Sequence, residues 1–186
     1  MRKNLGARPI LYPMPVMVIG TYDENEVANA MTAAWGGISE MKEISICIDD
    51  GHKTAKNAVT RGAFTVSIAD VDNMVAADFV GIISGNTDVD KVKKCGWTVE
   101  KSELVNAPIF AKLPLVLECK LISYTEETCR LVGEIVNVNA DERILDENNR
   151  VSLEKFHPIT YDPMNHTYVT LGEVVGKAYT DGLKLK

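Results

Sequence analysis

The sequence predicts a mainly β protein, a closed or partly closed antiparallel β-barrel with inserted helices. Six or more strand-like runs are joined mainly by hairpin turns. No strand–helix–strand rhythm of the kind that builds a doubly wound parallel sheet runs through the chain. Neither GxGxxG after a strand nor a GxxxxGKS or GxxxxGKT phosphate loop is present. The 186 residues suit one domain spanning 1–186, long enough to bury a core without disulfide or metal staples.

The elements follow in order. "PVMVIGTYD" (15–23) is an apolar run ending in an acidic turn, and reads as a strand. "EVANAMTAA" (26–34) follows a turn at Asp23–Asn25, which makes the two a hairpin. "ISICIDD" (44–50) is β-branched and alternating, a third strand. "KTAKNAVTRG" (53–62) is helical, with Ala55, Ala58 and Val59 on one face and Gly62 as its stop. "AFTVSIAD" (63–70) is a strand by its alternation. "VDNMVAADFVG" (71–81) is a helix with Met74, Val75 and Phe79 as a face, and "DVDKVKKCG" (88–96) holds a shorter one. The two prolines of "NAPIFAKLP" lead into two long β runs, 115–127 and 128–142, paired around an acidic turn. A charged loop with a turn at Asn148–Asn149 follows, and the tail contains short strands at best.

Composition excludes some functions. Twenty basic residues against 26 acidic ones give a net charge of −6, and no basic run offers a nucleic-acid surface. The apolar stretches are too short to span a bilayer and no signal-peptide cleavage pattern is seen, so the default location is cytoplasmic. None of the four cysteines is spaced CxxC, so zinc or dithiol chemistry has no motif. Cys47 and Cys119 sit in apolar strand-like runs and read as buried small hydrophobes. Asp49–Asp50 reads as a polar strand end rather than a metal pair.

Three stretches carry candidate chemistry. In "NAMTAAWGG" (29–37), alternation puts Asn29, Met31, Ala33 and Trp35 on one face and Ala30, Thr32, Ala34 and Gly36 on the other. Such small residues let a flat ligand approach the backbone; on the residues alone, close sheet packing is the simpler account. In "GHKT" (51–54), Thr54 is a candidate N-cap. The first-turn amides, with Lys53 and His52, make a weak anion site, although read alone the stretch is better explained as an ordinary capped helix with a solvated lysine. In "SGNTDVDK" (84–91), Ser84, Gly85 and Lys91 accompany a glycine turn between helices, and their spacing alone supports no site. No catalytic acid, base or nucleophile and no metal-ligand set stands out, so if the chain is an enzyme its reactive chemistry is borrowed from a cofactor.

Taken together these segments resemble the flavin reductase-like, FMN-binding split-barrel family that includes flavoredoxin. The resemblance runs through "PMPVMVIGT", "NAMTAAWGG", "HKT", "RGAFTVSIA", "DFVGIISGNTDVDK", "NAPIF", "LPLVLECKL" and "YVTLGEVVGKAY", nearly the whole chain. It implies a six-stranded antiparallel split barrel that forms a homodimer with FMN near the subunit interface. It implies that Asn29, Ala30, Met31, Thr32, Ala33, Ala34 and Trp35 run along the flavin, and that His52, Lys53 and Thr54 hold its phosphate. Ser84, Gly85 and Lys91 match a family segment near the flavin. One departure stands out: many relatives carry an arginine where this chain has His52, leaving Lys53 as the nearest firm cation. The implied activity is an oxidoreductase passing electrons from NADH or NADPH through FMN to a flavin, a redox protein or a small acceptor. The alternative is an FMN-carrying electron-transfer protein without its own NAD(P)H activity.

Overall fold

The computed structural model describes residues 1–186. The chain runs β1 (Met14–Pro15), β2 (Met17–Tyr22), β3 (Ala28–Ala33), β4 (Gly36–Glu40), β5 (Glu43–Cys47), α1 (Lys53–Arg61), β6 (Ala63–Ile68), α2 (Met74–Ile82), α3 (Lys91–Lys94), β7 (Val99–Lys101), β8 (Pro108–Phe110), β9 (Leu115–Thr125), β10 (Arg130–Ala140), β11 (Ile159–Asp162) and β12 (Thr167–Thr170). No helix is long and apolar enough to cross a membrane.

The main sheet has seven strands in the order β3-β2-β6-β9-β10-β5-β4, every neighbouring pair antiparallel. Its two edge strands, β3 and β4, are consecutive in the chain, joined only by Ala34 and Trp35. Two residues span less than about 11 Å even when fully extended, so the sheet must curl until its edges meet. The edges do not pair with each other, and the barrel is split along that seam. The expected count of six strands misses β4, which starts on two glycines and shows no buried face. A three-stranded sheet β1-β11-β12 and the β7-β8 pair complete the fold.

Alternation on β2 and β3 divides the core. Met17, Ile19, Met31 and Ala33 turn into the barrel with Ile44, Ile46, Phe64, Val66 and Leu131. Val16, Val18 and Ala30 turn outward and pack under α2 and α3 with Ala77, Val80, Val92, Trp97 and Phe110. Strand β2 is therefore buried on both faces, which is why it reads as a continuous apolar run.

Helix α1 plugs one end of the barrel with Thr54, Ala55, Asn57 and Ala58. Val59, expected on that face, is 50% exposed instead. Gly62 ends the helix in the left-handed region, at φ 66°. On α2 the fully buried residues are Ala77 and Val80, while Val75 points to solvent; Met74 and Phe79 are only partly buried. The small residues allow α2 to lie close on β3. Cys119 is buried as expected, but Cys47 is exposed, because it faces away from the barrel near the end of β5.

Candidate functional site

The first turn of α1 abuts β3. His52, rather than the expected Thr54, is the N-cap, and Thr54 is the second helical residue. The Thr54 hydroxyl is turned sideways, where it accepts a 2.9 Å hydrogen bond from Asn29 Nδ2, both residues being buried. No side chain caps the helix and no acidic residue stands in its first turn. Its orphan amides and the positive end of its dipole are thus left for an acceptor from outside the chain.

Two lysines frame that turn. Lys53 Nζ lies 2.8 Å from Asp23 Oδ2. Burial of Asp23 opposes its ionisation, yet the Lys53 hydrogen bond and the amides of Val27 and Asn25 carry its pKa below the ordinary value. Lys91 is 2% exposed, with Nζ donating to Val80 O at 3.0 Å and Ile83 O at 2.7 Å. An ammonium has three N–H bonds, so one remains for another acceptor. Burial lowers the Lys91 pKa to about 8.

These elements enclose a cavity of about 90 Å³ lined by Asn29, Met31, His52, Lys53, Thr54, Ser84, Gly85 and Lys91, with Gly81, Ile82 and Ile83. The structure thus brings together residues that the sequence offered as three separate stretches. Gly85 is needed there: a Cβ would sit 2.1 Å from Asn29 Oδ1, so only glycine lets the turn after α2 lie on β3.

Gly81 and Ile82 also border a second cavity of about 200 Å³, lined by Thr32, Ala34, Val16, Asp78, Tyr161 and Tyr168. Thr32 donates its hydroxyl proton to Ala77 O and so offers lone pairs to any ligand. Tyr168 donates to Asp78 at 2.7 Å, and its pKa is raised, by burial first and then by that carboxylate. Ala34 in turn borders a third cavity of about 470 Å³ that includes Trp35. Gly81 and Ile82 are shared by the first two cavities and Ala34 by the last two, so the three neighbour one another along β3 as an interrupted trough. Trp35 is 56% exposed, so it walls the trough and anchors no core. Ala30 and Ala33 are buried in the two cores and line none of these cavities. A cavity of about 730 Å³ lies across α2 beside Val75, Phe79, Cys95 and Trp97, and no candidate residue lines it.

Sequence reasoning missed Asp23, which read only as part of a turn, and the Asp78, Tyr161 and Tyr168 wall. No local signal marks them; their partners stand 30 and 90 residues away in the two pairs, Asp23 with Lys53 and Asp78 with Tyr168. No group of three or more His, Cys, Asp or Glu side chains could hold a metal ion.

The donor set fits FMN. Uncapped amides, two ammonium groups and the Thr54 and Ser84 hydroxyls suit a phosphate, and small residues beside an exposed indole suit a flat ring.

The flavin reductase like domain model matches residues 10–168. The structure is similar to flavoredoxin of Desulfovibrio vulgaris (Miyazaki F), with 36% identity, a TM-score of 0.93, and coverage of 98% of this chain and 100% of that one. It is similar to flavoredoxin from Methanosarcina acetivorans, at 24% identity and a TM-score of 0.89, with both chains covered in full, 100% each. It also shares its fold with an FMN-binding domain of a flavin reductases-like enzyme from Shewanella baltica OS155, at 19% identity, a TM-score of 0.77 and 88% of each chain. A curled antiparallel barrel matched over this much of its length leaves one conclusion: the chain belongs to the flavin reductase-like family and has its split-barrel fold.

Proposed function

We propose that this protein binds FMN in the trough along β3 and acts as an NAD(P)H-dependent oxidoreductase. The observation that carries the reading is the convergence of the uncapped α1 terminus, Lys53, Thr54, Ser84 and Lys91 at one end of a trough floored by small residues. Bound FMN would supply the redox chemistry, taking two electrons from NADH or NADPH and passing them to a flavin, a redox protein or a small acceptor. The chain's residues bind and orient. Lys53, Lys91 and the α1 amides hold the phosphate. Thr32 accepts from a ring N–H, Trp35 walls the ring, and α2 shields the β3 side from water. No side chain has to act as acid or base.

The working form is a homodimer in this reading. Ligand sites commonly measure about 300–1,000 Å³. The phosphate and ring cavities are about 90 and 200 Å³, so a second chain would complete their walls. Segment 171–186 leaves Val175 and Tyr179 fully exposed and Val174 86% exposed, apolar surface that suits a partner subunit.

The visible spectrum of the purified protein, followed by anaerobic NADH or NADPH, is the test. A flavin spectrum bleached by either donor is the expected result. A colourless protein that takes up no FMN overturns the reading. Bound flavin that neither donor bleaches points to an electron carrier instead.

A further inference from the structure

The cavity across α2 holds about 730 Å³, within the range of about 300–1,000 Å³ common to small-molecule sites. It lies between the N-terminal half of α2, the end of α3 and the segments around Lys112 and Arg143. None of its lining residues borders the three cavities along β3. Val75, Ala76 and Phe79 give it an apolar wall, and Trp97, just past α3, faces them.

One buried polar group in this cavity is unmet. Trp97 is 5% exposed and packs on Phe110, with ring centroids 5.2 Å apart. A buried indole N–H usually has an acceptor. This one has none in the chain. Nor is it sealed in the core, since the sealed side-chain atoms without a partner are Arg61 Nε and Ser67 Oγ. The N–H therefore opens where Trp97 lines the cavity, a donor without an acceptor.

The charges around it are unequal. Lys94 pairs with Asp88 at 2.5 Å and Arg143 with Asp141 at 3.4 Å, whereas Lys112 pairs with no carboxylate. The backbone that carries Lys112 is held in place: its carbonyl accepts from Asn73 Nδ2 at 3.0 Å and from Arg143 Nη2 at 2.8 Å. Asn73 is itself buried and anchored to Asp70 Oδ1 at 2.8 Å. Asp72 is the one carboxylate in the lining, and it disfavours a ligand with a second negative charge. One unspent ammonium, one unmet N–H and an apolar wall describe the complement of a single carboxylate on an apolar body.

We propose that this cavity is a second ligand site, for a small monocarboxylate with an apolar body. The Trp97 N–H and the Lys112 ammonium meet the carboxylate, because hydrogen bonds to an ionised acceptor are the strong ones. Phe79, Ala76 and Val75 cover the body. The site shares no residue with the β3 cavities, so it stands independently of the flavin reading.

The test is calorimetric titration of the full chain as isolated with hexanoate, hexan-1-ol and inorganic phosphate, with the indole N–H resonances followed by NMR. Hexanoate should bind. Hexan-1-ol, which lacks the charge, and phosphate, which lacks the body, should each bind about tenfold more weakly or worse, a difference of about 1.4 kcal/mol. The chain has two tryptophans, and Trp97→Phe identifies the resonance of each. Hexanoate should move the Trp97 resonance and leave that of Trp35 in place. Lys112→Gln, at an exposed position, should weaken hexanoate about tenfold. Trp97→Phe, which keeps a ring and removes the N–H, should weaken it as well. Four outcomes overturn the proposal: no hexanoate binding, equal binding of hexan-1-ol, an unmoved Trp97 resonance, or unchanged affinity in Lys112→Gln. Movement of the Trp35 resonance alone also overturns it, because the ligand would then sit along β3. A chain that takes up no FMN yet binds hexanoate in this pattern would sink the flavin reading and leave this site standing.

Discussion

Lys53 Nζ lies 2.8 Å from Asp23 Oδ2, so the one lysine that the helix start offers to an anion already carries a partner. The Asp23 side chain also accepts from the amides of Asn25 and Val27, each at 2.9 Å, which holds the β2–β3 turn. One carboxylate therefore shapes the hairpin and restrains the cation. Asp23→Asn keeps an oxygen for those amides and releases the Lys53 charge. FMN affinity, read by fluorescence titration, should rise about fivefold, since a partly exposed charge pair amounts to about 1 kcal/mol. Unchanged or weaker binding would show that Lys53 takes no part in holding the phosphate.

Thr54→Ala combined with Lys53→Ala should weaken FMN binding markedly. Each charged or hydrogen-bonding group lost from such a site costs about 1.5–3 kcal/mol. The fluorescence titration reads this directly, and an unchanged dissociation constant would reject the phosphate assignment.

Thr54→Val separates packing from hydrogen bonding. It keeps the shape and leaves Asn29 Nδ2 without its 2.9 Å partner in a buried position. Stability should fall by about 1–3 kcal/mol, the cost of an unmet buried donor. Urea denaturation checks it. No loss would mean that Asn29 finds another acceptor.

Lys91 predicts two opposite pH trends. Its folded pKa is about 8 against an ordinary 10.5, with burial as the cause. Below about 8 both folded and unfolded chains carry the ammonium. Between about 8 and 10.5 the unfolded chain holds more protons, so this group makes stability rise with pH across that window. Anion affinity runs the other way and should fall as pH climbs through about 8, because the ammonium loses its charge. FMN titrations between pH 7 and 9 should show that fall, and Lys91→Met should flatten it. A wild-type profile without the step would remove Lys91 from the binding set.

Gly85→Ala tests the turn after α2. Its new Cβ would lie 2.1 Å from Asn29 Oδ1, so the turn must lift from β3 or Asn29 must leave Thr54. Either movement opens the phosphate end, and FMN affinity should drop about tenfold or more, equivalent to about 1.4 kcal/mol. Wild-type affinity would mean that the turn does not shape the site.

Much of this was legible along the chain. The β2–β3 hairpin, α1 with its Gly62 stop, β6 and the long β9-β10 pair are visible because each depends on local alternation, turn residues or helical periodicity. Strand β4 was hidden by two glycines and exposed side chains, which carry no alternation. Cys47 looked buried because its neighbours are apolar, although period-two geometry turns it outward. Thr54 looked like a cap because threonine precedes an apolar pattern; its real partner, Asn29, is 25 residues away.

The order of strands and helices, the small-residue stretch on β3 and the cations before α1 are properties of the chain read alone. Their meeting is not. The barrel closes only because Ala34 and Trp35 must carry the chain between opposite sheet edges, and that closure places β3 beside α1 and the turn after α2. The Lys53–Asp23 pair, 30 residues apart, and the Tyr168–Asp78 pair, 90 apart, are long-range outcomes of that packing, which also buries Lys91. Hydrogen bonds and charge pairs form between groups brought near in space, and local sequence preference acts only over a few residues, so the tertiary structure alone could place them.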